Sequence, residues 1–233
     1  MFTIPNLLTS CNLLFGCCAL ISLEKGNYDW CIYFMVLAGL ADFLDGFVAK
    51  RLQQSSELGV QLDSLSDVVS FGLVPGMIAF HILEKTNPVM QWVPFFGFLL
   101  TLMAAFRLAR FNVNIKQGNN YFTGLPVPAN GLFFAGLLAL YQQTDSCLNW
   151  IFQPFVFLSL IIIFSILMVS RLKIIKIQFY REWLQKNAVL LFVEFICIIF
   201  SFWLGAGVLS LIILIHILFS LFHPFRNLQT HHL

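Results

Sequence analysis

Hydrophobic residues gather into long runs near 6–23, 30–48, 64–83, 91–110, 126–142, 150–170, 187–204 and 207–222. At about 1.5 Å per residue, each run can cross most of a roughly 30 Å hydrocarbon layer. The pattern predicts an all-α polytopic membrane protein, a bundle of about eight transmembrane helices. Gly205, Ala206 and Gly207 alone divide the last two runs, which leaves seven spans or a re-entrant pair open. Composition agrees: 59% of the 233 residues are hydrophobic and 10% are charged, which excludes an ordinary soluble core. The opening MFTIPN has no basic n-region, so the first span is expected to be retained. With no repeat, phosphate-binding P-loop or separate soluble segment in view, residues 1–233 read as one integral membrane domain.

The sparse cations orient the bundle. With the N-terminus in the cytoplasm, Lys50, Arg51, Arg107, Arg110, Lys116, Arg171, Lys173, Lys176, Arg181, Lys186 and Arg226 fall inside, and only Lys25 and Lys85 fall outside. Both chain ends then lie inside, on the cytoplasmic side of what would be a bacterial inner membrane.

Residues 42–67, DFLDGFVAKRLQQSSELGVQLDSLSD, concentrate acidic side chains in a chain that otherwise avoids them. An aspartate deep in a span costs roughly 2.5–3.5 kcal/mol on insertion scales, so Asp42, Asp45, Asp63 and Asp67 require compensation. Spacings of three and four place Asp42 with Asp45, and Asp63 with Asp67, each pair on one helix face. The expected arrangement has the first pair at the end of one helix and the second at the start of the next, so that two facing helix ends converge four carboxylates. Such a hard, all-oxygen cluster suits Mg²⁺ or Mn²⁺, and two ions would neutralise it while leaving sites for phosphate oxygens. No Cys or His lies in the stretch, which argues against zinc.

The spacing Asp42-x2-Asp45-Gly46-x2-Ala49-Lys50-x8-Gly59-x3-Asp63-x3-Asp67 resembles the signature of the CDP-alcohol phosphotransferases, membrane enzymes of phospholipid synthesis. Lys50, followed by Arg51, stands where that signature has Arg, and Lys lacks the bidentate fork. The resemblance implies that the four aspartates hold the metal ions, that Asp67 is also the general base, and that Gly46, Ala49, Lys50, Arg51 and Gly59 bind the CDP group. Within the family, IPNLLTSCN at 4–12, residues 42–76 with SLSDVVSFG at 64–72, RLARFN at 107–112 and GLPVPAN at 124–130 resemble phosphatidylserine synthases. This implies CDP-diacylglycerol as donor, L-serine as acceptor, CMP as the second product, and a homodimer. Glycerol 3-phosphate and inositol phosphate serve as acceptors in sister enzymes and remain open. An ion-coupled transporter could also use buried carboxylates, although no inverted repeat or second set of mid-span charges is visible.

Other features allow a functional and a structural reading. Asn6, Thr9, Ser10 and Asn12 mark the cytoplasmic end of the first span, and interhelical hydrogen bonding is favoured there over substrate contact. Arg107 and Arg110, one turn apart with Asn112 following, satisfy the positive-inside rule. They are also candidates for the donor's diphosphate or an acceptor's carboxylate. Gly72 and Gly76 read as close-packing positions, and Pro75 is expected to kink the third span. The segment 171–186 reads as a basic amphipathic stretch at the membrane surface. The six cysteines form no C-x-x-C pair and read as small buried hydrophobes.

Overall fold

The computed structural model describes residues 3–52, 56–87, 90–116, 124–143, 148–170 and 205–222, and these are helical throughout, without strands. Helix α1 spans Ile4–Glu24 and α2 spans Tyr28–Leu52; α3 (Glu57–Asp67) runs through a π-helical segment, Val68–Leu73, into α4 (Val74–Thr86). A 3₁₀ turn at Val93–Gly97 leads into α5 (Phe98–Lys116), followed by α6 (Val127–Gln142). A second 3₁₀ turn at Asn149–Phe152 leads into α7 (Pro154–Val169), and α8 covers Val208–Phe222. Four helical stretches, Ile4–Glu24, Tyr28–Leu52, Glu57–Thr86 and Val93–Val113, are long and apolar enough to cross a membrane, whereas α6, α7 and α8 are shorter apolar helices. The segments 171–186 and 187–204 lie outside the described residues.

Local chemistry explains the boundaries. Thr3 caps α1 by accepting from the Asn6 N–H, and Pro5 occupies the first turn, where its missing N–H costs nothing. The helix ends in a Schellman turn: Gly26, at φ 72°, donates to Leu23 O while Asn27 donates to Ser22 O, both at 2.9 Å. That tight turn lays α2 back along α1. Ser56 caps α3 through the Gly59 N–H at 3.0 Å.

Two expectations change here. The aspartates do not sit at facing helix ends: α2 continues to Leu52, and the Ser56 cap starts α3 at Glu57, so both pairs lie within helices. The disturbance expected at Pro75 takes the form of the π segment just before it. Proline offers no N–H to the carbonyl four residues back, Phe71 O, and Asn130 Nδ2 reaches that oxygen at 3.5 Å. Gly72 O is met in turn by Thr101 Oγ1 at 3.0 Å.

Core packing holds this long third element at the centre. Phe71, Ile78 and Ile82 are fully enclosed, and Phe133 stacks on Phe164 with ring centroids 4.0 Å apart. A Cβ on Gly72 would lie 3.1 Å from the Ala104 Cβ, and one on Gly76 would press on Thr101, so these glycines permit close approach of α5. At the far end, Tyr28 OH pairs with His81 Nε2 at 2.7 Å and accepts from Lys85 Nζ, tying α2 to α4. Tyr28 lies roughly 26 Å along α2 from Asp45, at 1.5 Å per residue.

Candidate active site

Helix α1 organises the acidic residues. Asn6, Thr9 and Asn12 recur every three residues along one buried stripe, facing both α2 and α3. Thr9 Oγ1 donates to Asp45 Oδ2 at 2.5 Å and also reaches Pro5 O at 3.0 Å. Asn12 Nδ2 donates to Asp67 Oδ1 at 3.2 Å. The register between the helices is fixed by Ser66 Oγ on Thr9 O and Ser70 Oγ on Asn12 O, at 3.2 and 3.0 Å. Of the polar residues of the first span, Thr9 and Asn12 therefore bond between helices and hold carboxylates, whereas Ser10 Oγ donates back to Asn6 O within α1 at 2.8 Å.

Asp42, Asp63 and Asp67 each bring one carboxylate oxygen to within 4.8 Å of the other two. Asp45 stands beside this triad, turned to Thr9. The fit to a divalent cation is chemical as well as spatial: all donors are hard oxygens, and Asp63 Oδ1 is enclosed without a hydrogen-bond partner among the described residues. Burying carboxylates together without a cation is unfavourable, so this cluster could hold a metal ion.

Beside the triad lies a cavity of about 470 Å³. Asp45, Gly46, Ala49, Lys50, Gly59 and Asp63 contribute to its walls. Four of the five residues assigned from the signature to the CDP group thus line one space; Arg51 is exposed and is not among the lining residues. The glycines differ. A Cβ at Gly46 would meet nothing within 4 Å, so its absence widens the cavity. One at Gly59 would lie 2.9 Å from Asn6 Oδ1 and 3.1 Å from Ser56 Oγ, so there the missing Cβ admits the cap and α1.

The residues of the RLARFN segment part company. Arg110 turns to α7, donating from Nη1 to Val169 O at 2.8 Å and from Nη2 to Ser170 O at 3.5 Å. Asn112 and Ser64 exchange hydrogen bonds between α5 and α3, with Asn112 Nδ2 to Ser64 Oγ at 2.9 Å. Arg107 is buried, 8% exposed, within electrostatic reach of Asp67, and its Nε is enclosed without a hydrogen-bond partner among the described residues. Sequence reasoning did not assign Thr9 or Asn12 to the site. The signal available was their i,i+3 spacing on a membrane helix.

An all-helical membrane bundle with an acidic cluster that could hold a divalent cation, set beside a cavity with Lys50 in its wall, defines the class: a membrane-embedded protein with a metal-type site. The family model for CDP-alcohol phosphatidyltransferase matches residues 2–162, and the chain belongs to that family. It is 29% identical over 175 residues to the CDP-diacylglycerol–serine O-phosphatidyltransferase of Helicobacter pylori, covering 74% of this chain and 72% of the relative. The similarly named protein of Saccharomyces cerevisiae is 39% identical over 122 residues, 48% of this chain and 43% of that one. That of Bacillus subtilis is 32% identical over 143 residues, 60% and 77% respectively.

Proposed function

We propose that this enzyme transfers the phosphatidyl group of CDP-diacylglycerol to L-serine, producing phosphatidylserine and CMP. The observation that carries the reading is the convergence of Asp42, Asp63 and Asp67 beside a cavity walled by Asp45, Gly46, Ala49, Lys50 and Gly59. The serine acceptor rests on the names of the similar proteins and on the segments at 4–12, 42–76, 107–112 and 124–130.

In this reading the cytidine end of the donor occupies the cavity, where Gly46 leaves room for a flat ligand and Lys50, with Arg51 at the rim, neutralises phosphate charge. Asp42, Asp45, Asp63 and Asp67 would hold two divalent ions, Mg²⁺ or Mn²⁺, which when bound would neutralise charge on the donor's phosphates and polarise the phosphoryl group. The serine hydroxyl oxygen bonds to the phosphorus nearer the lipid as the bond from that phosphorus to CMP breaks. Asp67 accepts the hydroxyl proton; Asn12 occupies its Oδ1 and thereby fixes the direction of Oδ2. Thr9 performs the same orienting service for Asp45.

We place the site at the cytoplasmic side of a bacterial inner membrane, in a single domain of about eight spans with both chain ends inside, working as a homodimer. The charge asymmetry of the sequence and the family membership support this arrangement.

The test is CMP release by the purified protein with CDP-diacylglycerol and Mn²⁺ or Mg²⁺, comparing serine, glycerol 3-phosphate, inositol phosphate and no acceptor. Serine-dependent release is expected. Release only with another acceptor would overturn the acceptor assignment, and absence of release with all of them, accompanied by metal flux in liposomes, would favour a transporter.

A further inference from the structure

Around the C-terminal end of α6, far from the aspartates, three cavities adjoin. One of about 630 Å³ has Tyr28, Thr86, Tyr141, Gln142 and Gln153 in a wall rich in polar side chains. Another, of about 730 Å³, runs between α6, α7 and α8 and is almost wholly apolar, with Leu137, Leu160, Leu211 and Leu214 in its wall. Both fall within the roughly 300–1,000 Å³ typical of ligand sites. A smaller space of about 360 Å³ shares Gln142 with the first and Gln143 with the second. The 3₁₀ turn at Asn149–Phe152 borders both large cavities, giving Asn149 and Phe152 to the polar one and Trp150 and Ile151 to the apolar one.

This end of the bundle lies at the level of a membrane interface. The three tryptophans among the described residues, Trp30, Trp92 and Trp150, are exposed here, as is Tyr33, and such amphipathic rings settle at headgroup depth. A polar space at that depth, continuing into an apolar groove, has the layout of a phospholipid. The charges define its headgroup. Lys85 Nζ donates to Tyr28 OH in the polar wall and, as an exposed ammonium with three N–H groups, has others for a phosphate. Asp29, in the wall of the connecting space, accepts from Gln142 Nε2 at 3.3 Å, and a carboxylate has further lone pairs for an ammonium. Glu24, Asp29 and Glu84 outnumber Lys25 and Lys85 at this end, so a headgroup of net negative charge is disfavoured.

We propose that these cavities form a binding site for one zwitterionic aminophospholipid, its phosphate on Lys85 and the Tyr28 and Tyr141 hydroxyls, its primary ammonium on Asp29, and an acyl chain between α6, α7 and α8. The site lies roughly 26 Å along α2 from Asp45, so it is separate from the acidic cluster and does not depend on the reaction proposed there. Its polar wall draws on α2, α4 and α6, so a bound headgroup bridges three helices, and a ligand that binds the folded state alone stabilises it.

The experiment uses the full chain, delipidated in detergent and titrated with dioleoyl phosphatidylethanolamine, phosphatidylglycerol, phosphatidylcholine or chain-free glycerophosphoethanolamine. Native mass spectrometry counts bound lipid, and Tm is read in parallel. Phosphatidylethanolamine should be retained about tenfold more tightly than the other two lipids, should raise Tm, and should not be displaced by CDP-diacylglycerol. Glycerophosphoethanolamine should bind too weakly to detect. Lys85→Gln should weaken retention of all three lipids about tenfold, and Asp29→Asn should erase the preference for phosphatidylethanolamine. Leu211→Trp, at an exposed position in the groove, should abolish retention without altering the headgroup contacts. If Lys85→Gln, which also loses the tie to Tyr28, does not fold, Leu211→Trp carries the test. Retention that is equal for the three lipids or unchanged in the variants would overturn the assignment, as would displacement by CDP-diacylglycerol or equally tight binding of glycerophosphoethanolamine. A change of oligomeric mass in Leu211→Trp would make the groove a contact between copies, and a fall in its Tm without lipid would mean that the chain itself fills the groove; either result also overturns the proposal.

Discussion

Replacing Thr9 by Val removes one hydroxyl from a side chain that is 3% exposed and nearly preserves its shape. The lost bond is the 2.5 Å donation to Asp45, itself 6% exposed. Hydrogen bonds to charged groups contribute about 1.5–3 kcal/mol, and at 1.4 kcal/mol per decade this corresponds to roughly a 10- to 150-fold effect wherever Asp45 must be ionised and correctly aimed. Without the hydroxyl, Asp45 can turn toward Asp42 and Asp63 or remain unpaired. Either outcome should weaken Mn²⁺ affinity, measured by isothermal titration on the detergent-solubilised protein, and should lower kcat/KM for CDP-diacylglycerol by a similar factor. Thr9→Ser keeps the hydroxyl and should recover most of both. The valine also leaves Pro5 O without its second contact, a small term because that carbonyl already accepts within the helix. Wild-type Mn²⁺ affinity in Thr9→Val, or equal losses in the Val and Ser variants, would refute the idea that Asp45 is aimed from α1.

Asp67→Asn is expected to abolish serine-dependent CMP release while donor binding stays measurable; a near-normal rate would remove the general-base role. Saturating Mn²⁺ at about 100 times its Kd should stabilise the protein by roughly 2.7 kcal/mol, visible as a rise in Tm, and Asp63→Asn should abolish most of that rise. Gly46→Ala introduces a methyl that meets no protein atom, so Tm should hold while the donor KM climbs. Gly131→Ala does the opposite: its methyl would lie 2.8 Å from Phe71 Cδ1 and 3.2 Å from Phe71 Cα, and a loss of about 1–3 kcal/mol of stability is expected from overpacking against the π segment.

The acidic cluster was legible because carboxylates are costly in lipid and their i,i+3 and i,i+4 spacing is a local property. The first four spans were legible for the same reason, as length and hydropathy are read within one segment, whereas the runs at 126–142, 150–170 and 207–222 form apolar helices shorter than a span. Helix limits near the site were not. Charged and polar residues between 50 and 63 suggested a loop, whereas α2 runs to Leu52 and the Ser56 cap starts α3 at Glu57. The π segment was also hidden: Pro75 announced a missing hydrogen bond, but Asn130, which answers it from α6, is 55 positions away in the chain. The division of labour between Arg107 and Arg110 had no local signal at all, since two arginines one turn apart look alike until the carbonyls of α7 are placed against one of them.

The support of Asp45 by Thr9 and of Asp67 by Asn12 also bears on biogenesis. Helix α1 is synthesised before α2, and the Schellman turn at Gly26 returns α2 against it, so Asp45 enters lipid as part of a hairpin that already carries its hydroxyl partner. Asp67 arrives later, on a helix for which Asn12 is already waiting. Each acidic helix would otherwise meet the membrane bearing an insertion penalty of about 2.5–3.5 kcal/mol per aspartate. The first span thus acts as a docking template for helices that would integrate poorly alone, and polar-to-apolar changes along its Asn6–Thr9–Asn12 stripe, which make α1 itself more hydrophobic, should lower the yield of correctly inserted protein.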